Sequence, residues 1–99
     1  MKGVPRVITD TENISVATNT KVTVGNTSTS VLSANSSRTG FALVNDSDED
    51  IYVSLSGTAV MNEGIRINSD GGSVIDDAYR GAITAICTTG GKNLTVMEY

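Results

Sequence analysis

No stretch of ten residues in this chain repeats its apolar side chains at helical spacing. What recurs instead is alternation with a period of two. Thirteen Thr, eleven Val and eight Ile make about a third of the 99 residues β-branched, against four Leu and no Gln. Such side chains are stiff at χ1 and suit a pleated surface better than a helix. Eleven Ser, ten Gly, eight Asn and one Pro supply turns between the short apolar runs. The turn signals recur roughly every 8–12 residues, which is the spacing of a sandwich or barrel. The expectation is one all-β domain: an antiparallel β-sandwich, jelly-roll-like, with eight or nine short strands. A small β-barrel is the second choice.

The chain divides into an extended N-terminal arm, residues 1–12, and a sandwich domain, residues 13–99. In the arm, Pro5 lacks a backbone donor and pushes Val4 extended, and Val4, Val7 and Ile8 flank Arg6. Strands are expected around Ile14 and Val16, Val22 and Val24, and Val31 and Leu32. Phe41-Ala42-Leu43-Val44 and Ala82 to Cys87 are apolar on both faces. Between them, Ile51, Val53 and Leu55 alternate with Tyr52, Ser54 and Ser56, the cleanest half-buried strand in the sequence. A hairpin is expected between this strand and Phe41–Val44, and a second between Ala82–Cys87 and the strand through Leu94 and Val96. The loop from Gly57 to Gly64 leaves room for a helical turn at Ala59 to Asn62. Short strands at Ile65–Ile67 and Ser73–Ile75 flank the turn Asn68-Ser69-Asp70-Gly71-Gly72. The expected core is Phe41, Leu43, Ile51, Val53, Leu55, Ile67, Ile83, Ile86, Leu94 and Val96.

Composition narrows the chemistry. Without His there is neither a Ser-His triad nor an imidazole metal site. One Cys excludes an internal disulfide, and Cys87 fits a small buried hydrophobe better than a thiolate. Seven basic residues against eleven acidic ones, unclustered, argue against a nucleic-acid partner. The apolar runs are too short to span a membrane as helices, and residues 1–12 contain no apolar leader segment. Asp46, Asp48 and Asp50 open like a calcium loop, but Ile51 stands where Gly is required and Gly57 where Glu is required, so no metal is expected there. Asp76-Asp77 has no nucleophile or oxyanion hole marked beside it. Gly90-Gly91-Lys92 lacks the full phosphate-loop spacing and a following helix. The Asn-x-Ser/Thr triplets at Asn13, Asn26, Asn35, Asn45 and Asn93 are common in so Ser-, Thr- and Asn-rich a chain. No catalytic residues and no cofactor are expected.

The remaining candidates are contacts to a partner. A two-layer sandwich covers only one face of each sheet, so the doubly apolar strands make Ala42, Val44, Ala82 and Ala85 candidates to meet a neighbouring molecule. Tyr52 lies on the polar face of its strand and offers apolar area with a polar tip. The arm residues Val4, Pro5, Arg6, Val7 and Ile8 are suited to adding a strand to a neighbouring sheet.

The layout from Thr39-Gly40-Phe41-Ala42-Leu43-Val44-Asn45-Asp46-Ser47 through Ile51-Tyr52-Val53, then Gly64-Ile65-Arg66-Ile67, Gly81 to Ile86 and Asn93 to Glu98, resembles a group of small β-sandwich proteins of tailed bacteriophages. These are head-fibre, capsid-decoration and minor virion structural proteins, and the resemblance covers about residues 20–98. It implies a virion protein made in the bacterial host cytoplasm, without catalytic residues. Its implied partners are the major capsid protein or another virion protein, and further copies of itself, with a trimer among the possible forms. A decoration or cement protein of the assembled head is the function it implies first. A neck, collar or tail component near the portal, and a receptor- or glycan-binding fibre module, are the alternatives.

Overall fold

The computed structural model describes residues 16–99. Eight strands form in chain order: β1 Thr18–Val24, β2 Thr29–Leu32, β3 Phe41–Asn45, β4 Ile51–Ser54, β5 Ile65–Ile67, β6 Gly72–Asp76, β7 Ile83–Ile86 and β8 Lys92–Glu98. They make two four-stranded sheets of order β1-β8-β3-β6 and β2-β7-β4-β5, with every pairing antiparallel. Six of the seven successive connections cross from one sheet to the other. This is the strand order of a jelly roll, two Greek keys wound together. The expected sandwich of eight or nine strands is therefore an eight-stranded one over the described residues.

Alternation places the core. Phe41, Leu43, Leu94, Val96 and Val24 point inward from the first sheet, and Ile51, Val53, Ile67, Ile83, Ala85 and Cys87 from the second. Each large apolar side chain buried this way contributes roughly 1.5–3 kcal/mol. Eight of the ten expected core residues lie in this interior. Leu55 is only half-buried beside it, and Ile86 is buried from the opposite, outward side of its strand.

Two expected hairpins and one expected helical turn are absent, each for a physical reason. β3 and β4 are not a hairpin: their five-residue connection carries the chain from the first sheet to the second. The same holds for β7 and β8, and β4 with β5 is the hairpin instead. Segment 59–62 does not make a helical turn. Val60 O accepts the amide of Glu63 at 3.1 Å, and Asn62 sits at φ 67°, which ends any helical continuation. The first strand starts at Thr18, and Val16 ahead of it is exposed. Ile14 and the 12/13 boundary lie outside the described residues.

A crossing connection cannot satisfy its backbone groups with a ladder, so each end of the sandwich has a buried polar side chain that does so. At one end this is Asn45, fully buried at the close of β3. Its Nδ2 donates to Glu49 O at 2.8 Å and, in the other sheet, to Ile67 O at 2.9 Å. Its Oδ1 accepts from the Ser47 amide and hydroxyl at 2.9 and 2.7 Å. At the other end it is Arg38, 1% exposed. Its Nε donates to Glu98 Oε2 at 2.8 Å, Nη1 to Tyr79 O and Gly81 O at 3.1 and 2.9 Å, and Nη2 to Ser33 O at 2.6 Å. One guanidinium thus fastens the β2–β3 and β6–β7 crossings to the end of β8.

The Asn45 end also carries surface ion chemistry. Lys92 Nζ donates to Asp48 Oδ1 at 2.7 Å, and the Thr89 amide and hydroxyl donate to the two oxygens of Glu49. Hydrogen bonding by Lys92 holds the Asp48 carboxyl below its ordinary value, and the Thr89 hydroxyl does so for Glu49. At the opposite end the Tyr79 amide lowers Asp76. Depressed carboxyls stabilise the fold above their unfolded values and lose that contribution as pH falls through the folded ones. Lys92, raised by Asp48, works the other way and is lost as pH rises through its folded value. The melting temperature is therefore expected to fall on acidification below the ordinary carboxylate range, and to fall less steeply in Asp48→Asn. An acid limb that is flat in the wild-type chain would overturn this.

Candidate functional site

The outward faces of the two sheets differ. On the first sheet, cross-strand register lines up Ile75 of β6, Ala42 of β3, Met97 of β8 and Asn19 of β1. The next row is Ser73, Val44, Thr95 and Lys21. Directly opposed side chains of this kind stand about 4.5–5.5 Å apart at Cβ, so Ile75, Ala42, Met97 and Val44 form one contiguous apolar strip. Ile75 is 71% exposed. Beside the strip, Thr95 Oγ1 donates to Asp46 Oδ2 at 2.6 Å, which gives it a polar margin.

On the second sheet, Tyr52 stands outward beside Arg66 and Ile86, and Ser54 beside Thr84. The protein's own loop between β4 and β5 lies over part of this face, with Arg66 and Val60 left exposed. Thr84 Oγ1 donates to Gly57 O at 2.9 Å, and the Ala59 amide donates to Ser28 Oγ at 2.9 Å. Ala59 and Ile86 are consequently buried, although neither belongs to the interior cluster. One sheet is partly overlaid by its own loop, while on the other Ile75 stands exposed beside the half-buried Ala42, Met97 and Val44.

The sequence-derived contact residues distribute unevenly over this surface. Ala42 and Val44 lie in the outward strip, half-buried. Tyr52 is half-buried on the partly overlaid sheet. Ala82 is exposed just ahead of β7, and its carbonyl accepts the Tyr79 hydroxyl at 2.9 Å. Ala85 is a correction: it is fully buried in the interior, paired with Val53, and meets no outside molecule. It lies three residues from Ala82, and in a strand an odd offset reverses the face. Val4, Pro5, Arg6, Val7 and Ile8 lie outside the described residues.

Sequence reasoning missed Ile75. Val74 and Ile75 are adjacent, so only one can face inward, and it is Val74 that packs on the core. That much was available from the period of two. The exposure of Ile75 follows from the place of β6 at the sheet edge, which no local pattern encodes.

At the acidic turn each carboxylate has its own protein donor: Thr95 for Asp46, Lys92 for Asp48, Thr89 for Glu49 and the Ser69 amide for Asp50. The arrangement spends these groups on closing the corner. Cys87 is fully buried, its Sγ 3.4 Å from Val24 O, and burial raises its thiol above the ordinary value. A thiol in that setting is a packing group. Comparison with protein-family models, with curated proteins and with solved structures found no match to this chain.

Proposed function

We propose that the protein is a non-catalytic structural component of a tailed-phage virion, attached to the assembled head lattice as a decoration or cement protein. The observation that carries this reading is the contiguous outward strip Ile75, Ala42, Met97 and Val44 on one sheet, with Ile75 71% exposed. A domain this small leaves such area uncovered where another molecule meets it. The resemblance of residues 20–98 to small phage sandwiches favours a virion partner, and the jelly-roll order, frequent in capsid and lectin domains, agrees by analogy. The physical mechanism is linkage. A module that binds the assembled lattice and not its free subunits stabilises the lattice by mass action, and repetition over many equivalent sites multiplies a modest contact.

The test is co-sedimentation with expanded heads. Ile75→Asp leaves the melting temperature unchanged, because the side chain is already in water. It is expected to weaken head binding about tenfold to a hundredfold, the worth of one buried Ile. Full occupancy by Ile75→Asp would overturn the strip as the contact. Copy number in purified virions decides between head decoration and a neck or tail position.

A further inference from the structure

At the Arg38 end the two edge strands β1 and β2 draw apart. Between them lies a groove of about 440 Å³, with Thr18, Thr20, Val96 and Glu98 as its floor and Val31 and Leu32 in its wall. The inward positions of β1 show the opening directly. Val24 is buried and Val22 half-buried, while Thr20 and Thr18 are exposed although they point to the inside of the sandwich. Val96 beside Thr20 and Glu98 beside Thr18 border the same gap. On this side β1 and β2 have no strand partner among the described residues.

We propose that this groove receives residues 4–8 of a second copy of the chain, so that copies are joined by exchange of arms. The proposal stands apart from head binding and is tested without heads. Three features of the chain support it. The first is pattern. An extended Val4-Pro5-Arg6-Val7-Ile8 puts Val4, Arg6 and Ile8 on one side. That order sets Arg6 to meet Glu98, the single carboxylate of the groove, with the half-buried Leu32 beside it for one apolar neighbour and the exposed hydroxyls of Thr18, Thr20, Ser30 and Ser33 along the rest. Glu98 Oε2 accepts from Arg38 and Asn35, and its Oε1 has no donor among the described residues. The groove also has the size: a cavity of roughly 150 Å³ takes one benzene-sized group, so this one takes about three side chains.

The second is charge. Residues 1–9 contain Lys2 and Arg6 and no acid, whereas residues 16–99 hold nine acidic and five basic residues. Asp10 and Glu12 balance these charges over the whole arm, so the attraction is confined to its tip, where both cations precede both acids. The third is length. Nine residues, 9–17, separate Ile8 from Thr18, more than the two to five or so of a hairpin return. Extended, they reach roughly 30 Å, comparable to the width of a domain of this size. Pro5 is admissible because a strand laid into the gap is an edge strand.

The experiment places benzoylphenylalanine at Val7 of the full chain and irradiates an equal mixture of nitrogen-14 and nitrogen-15 protein. The expected result is cross-linking into segment 30–35 or to Thr18 and Thr20, with chains of unlike isotope joined. In parallel, sedimentation is expected to show concentration-dependent association that weakens at least tenfold in Arg6→Glu and with rising salt. Adducts confined to single chains would mean that each arm fills its own groove, and would overturn the exchange. Adducts on the outer strip, or a monomer at all concentrations, would overturn the groove as the docking site.

Discussion

Replacing Arg38 by methionine is expected to destabilise the protein by about 3–5 kcal/mol, the cost of breaking a buried ion pair from one side. The apolar replacement fills most of the space but withdraws every donor. Tyr79 O, Gly81 O and Ser33 O lose their partners in a site where the Arg38 side chain itself is wholly buried. Glu98 loses its counter-charge, though at 22% exposed it regains some water. The carbonyls therefore account for much of the loss, at roughly 1–3 kcal/mol for each group left unsatisfied. Arg38→Lys is expected to recover little, because one ammonium cannot span a carboxylate and three carbonyls set around a planar fork. Urea denaturation with an unchanged m-value reads the difference directly. A loss below about 1 kcal/mol would show that the three carbonyls find other donors.

The second large effect is expected at Phe41. It is the chain's single Phe, it is fully buried, and the cluster it belongs to is otherwise aliphatic apart from Cys87, so no other ring fills the space it leaves. Phe41→Ala is expected to lower stability by about 3–5 kcal/mol and to leave the secondary structure recognisable by circular dichroism. For a domain whose total stability is of order 5–15 kcal/mol, that is a large fraction. The Arg38 guanidinium lies 5.9 Å from the centre of the Phe41 ring. The two losses are therefore not expected to add, and a double-mutant cycle should return a coupling of about 0.5–3 kcal/mol. Melting of Phe41→Ala at the wild-type temperature would remove the ring from the core.

Those two residues show how far the sequence could be read. Phe41 was legible: it opens an apolar run with the Leu43 spacing of a strand, and its burial follows. Arg38 was not. In sequence it closes a polar turn, Asn35 to Arg38, and nothing near it announces acceptors. Its partners Tyr79 O and Gly81 O come from a connection some forty residues away. Asn45 was hidden in the same way, since its decisive acceptor Ile67 O belongs to the other sheet. The alternation of Ile51 and Val53 with Tyr52 and Ser54 was plain, and so was the class of fold. The sheet to which each strand belongs was not, because a five-residue link serves a hairpin and a crossing equally well. The outer face of the first sheet was half legible. The apolar run put Ala42 and Val44 on it, while Ile75 depended on which strand ended up at the edge.

The pairing of β1 with β8 has a consequence in time. Thr18 lies opposite Glu98, and β8 is also the strand that joins β1 to β3. The first sheet therefore lacks its second member until the last strand exists. At about 5–20 residues per second, synthesis keeps Val22 and Val24 of β1 without their sheet partner for several seconds, while β3 can pair only with β6. The first sheet then forms through contacts far apart in sequence, which favours slow folding. A ribosome that stops before Leu94 releases a product with an unfinished core and open strand edges. The topology thus makes the presence of β8 a condition of folding, and leaves products that lack it exposed to proteolysis.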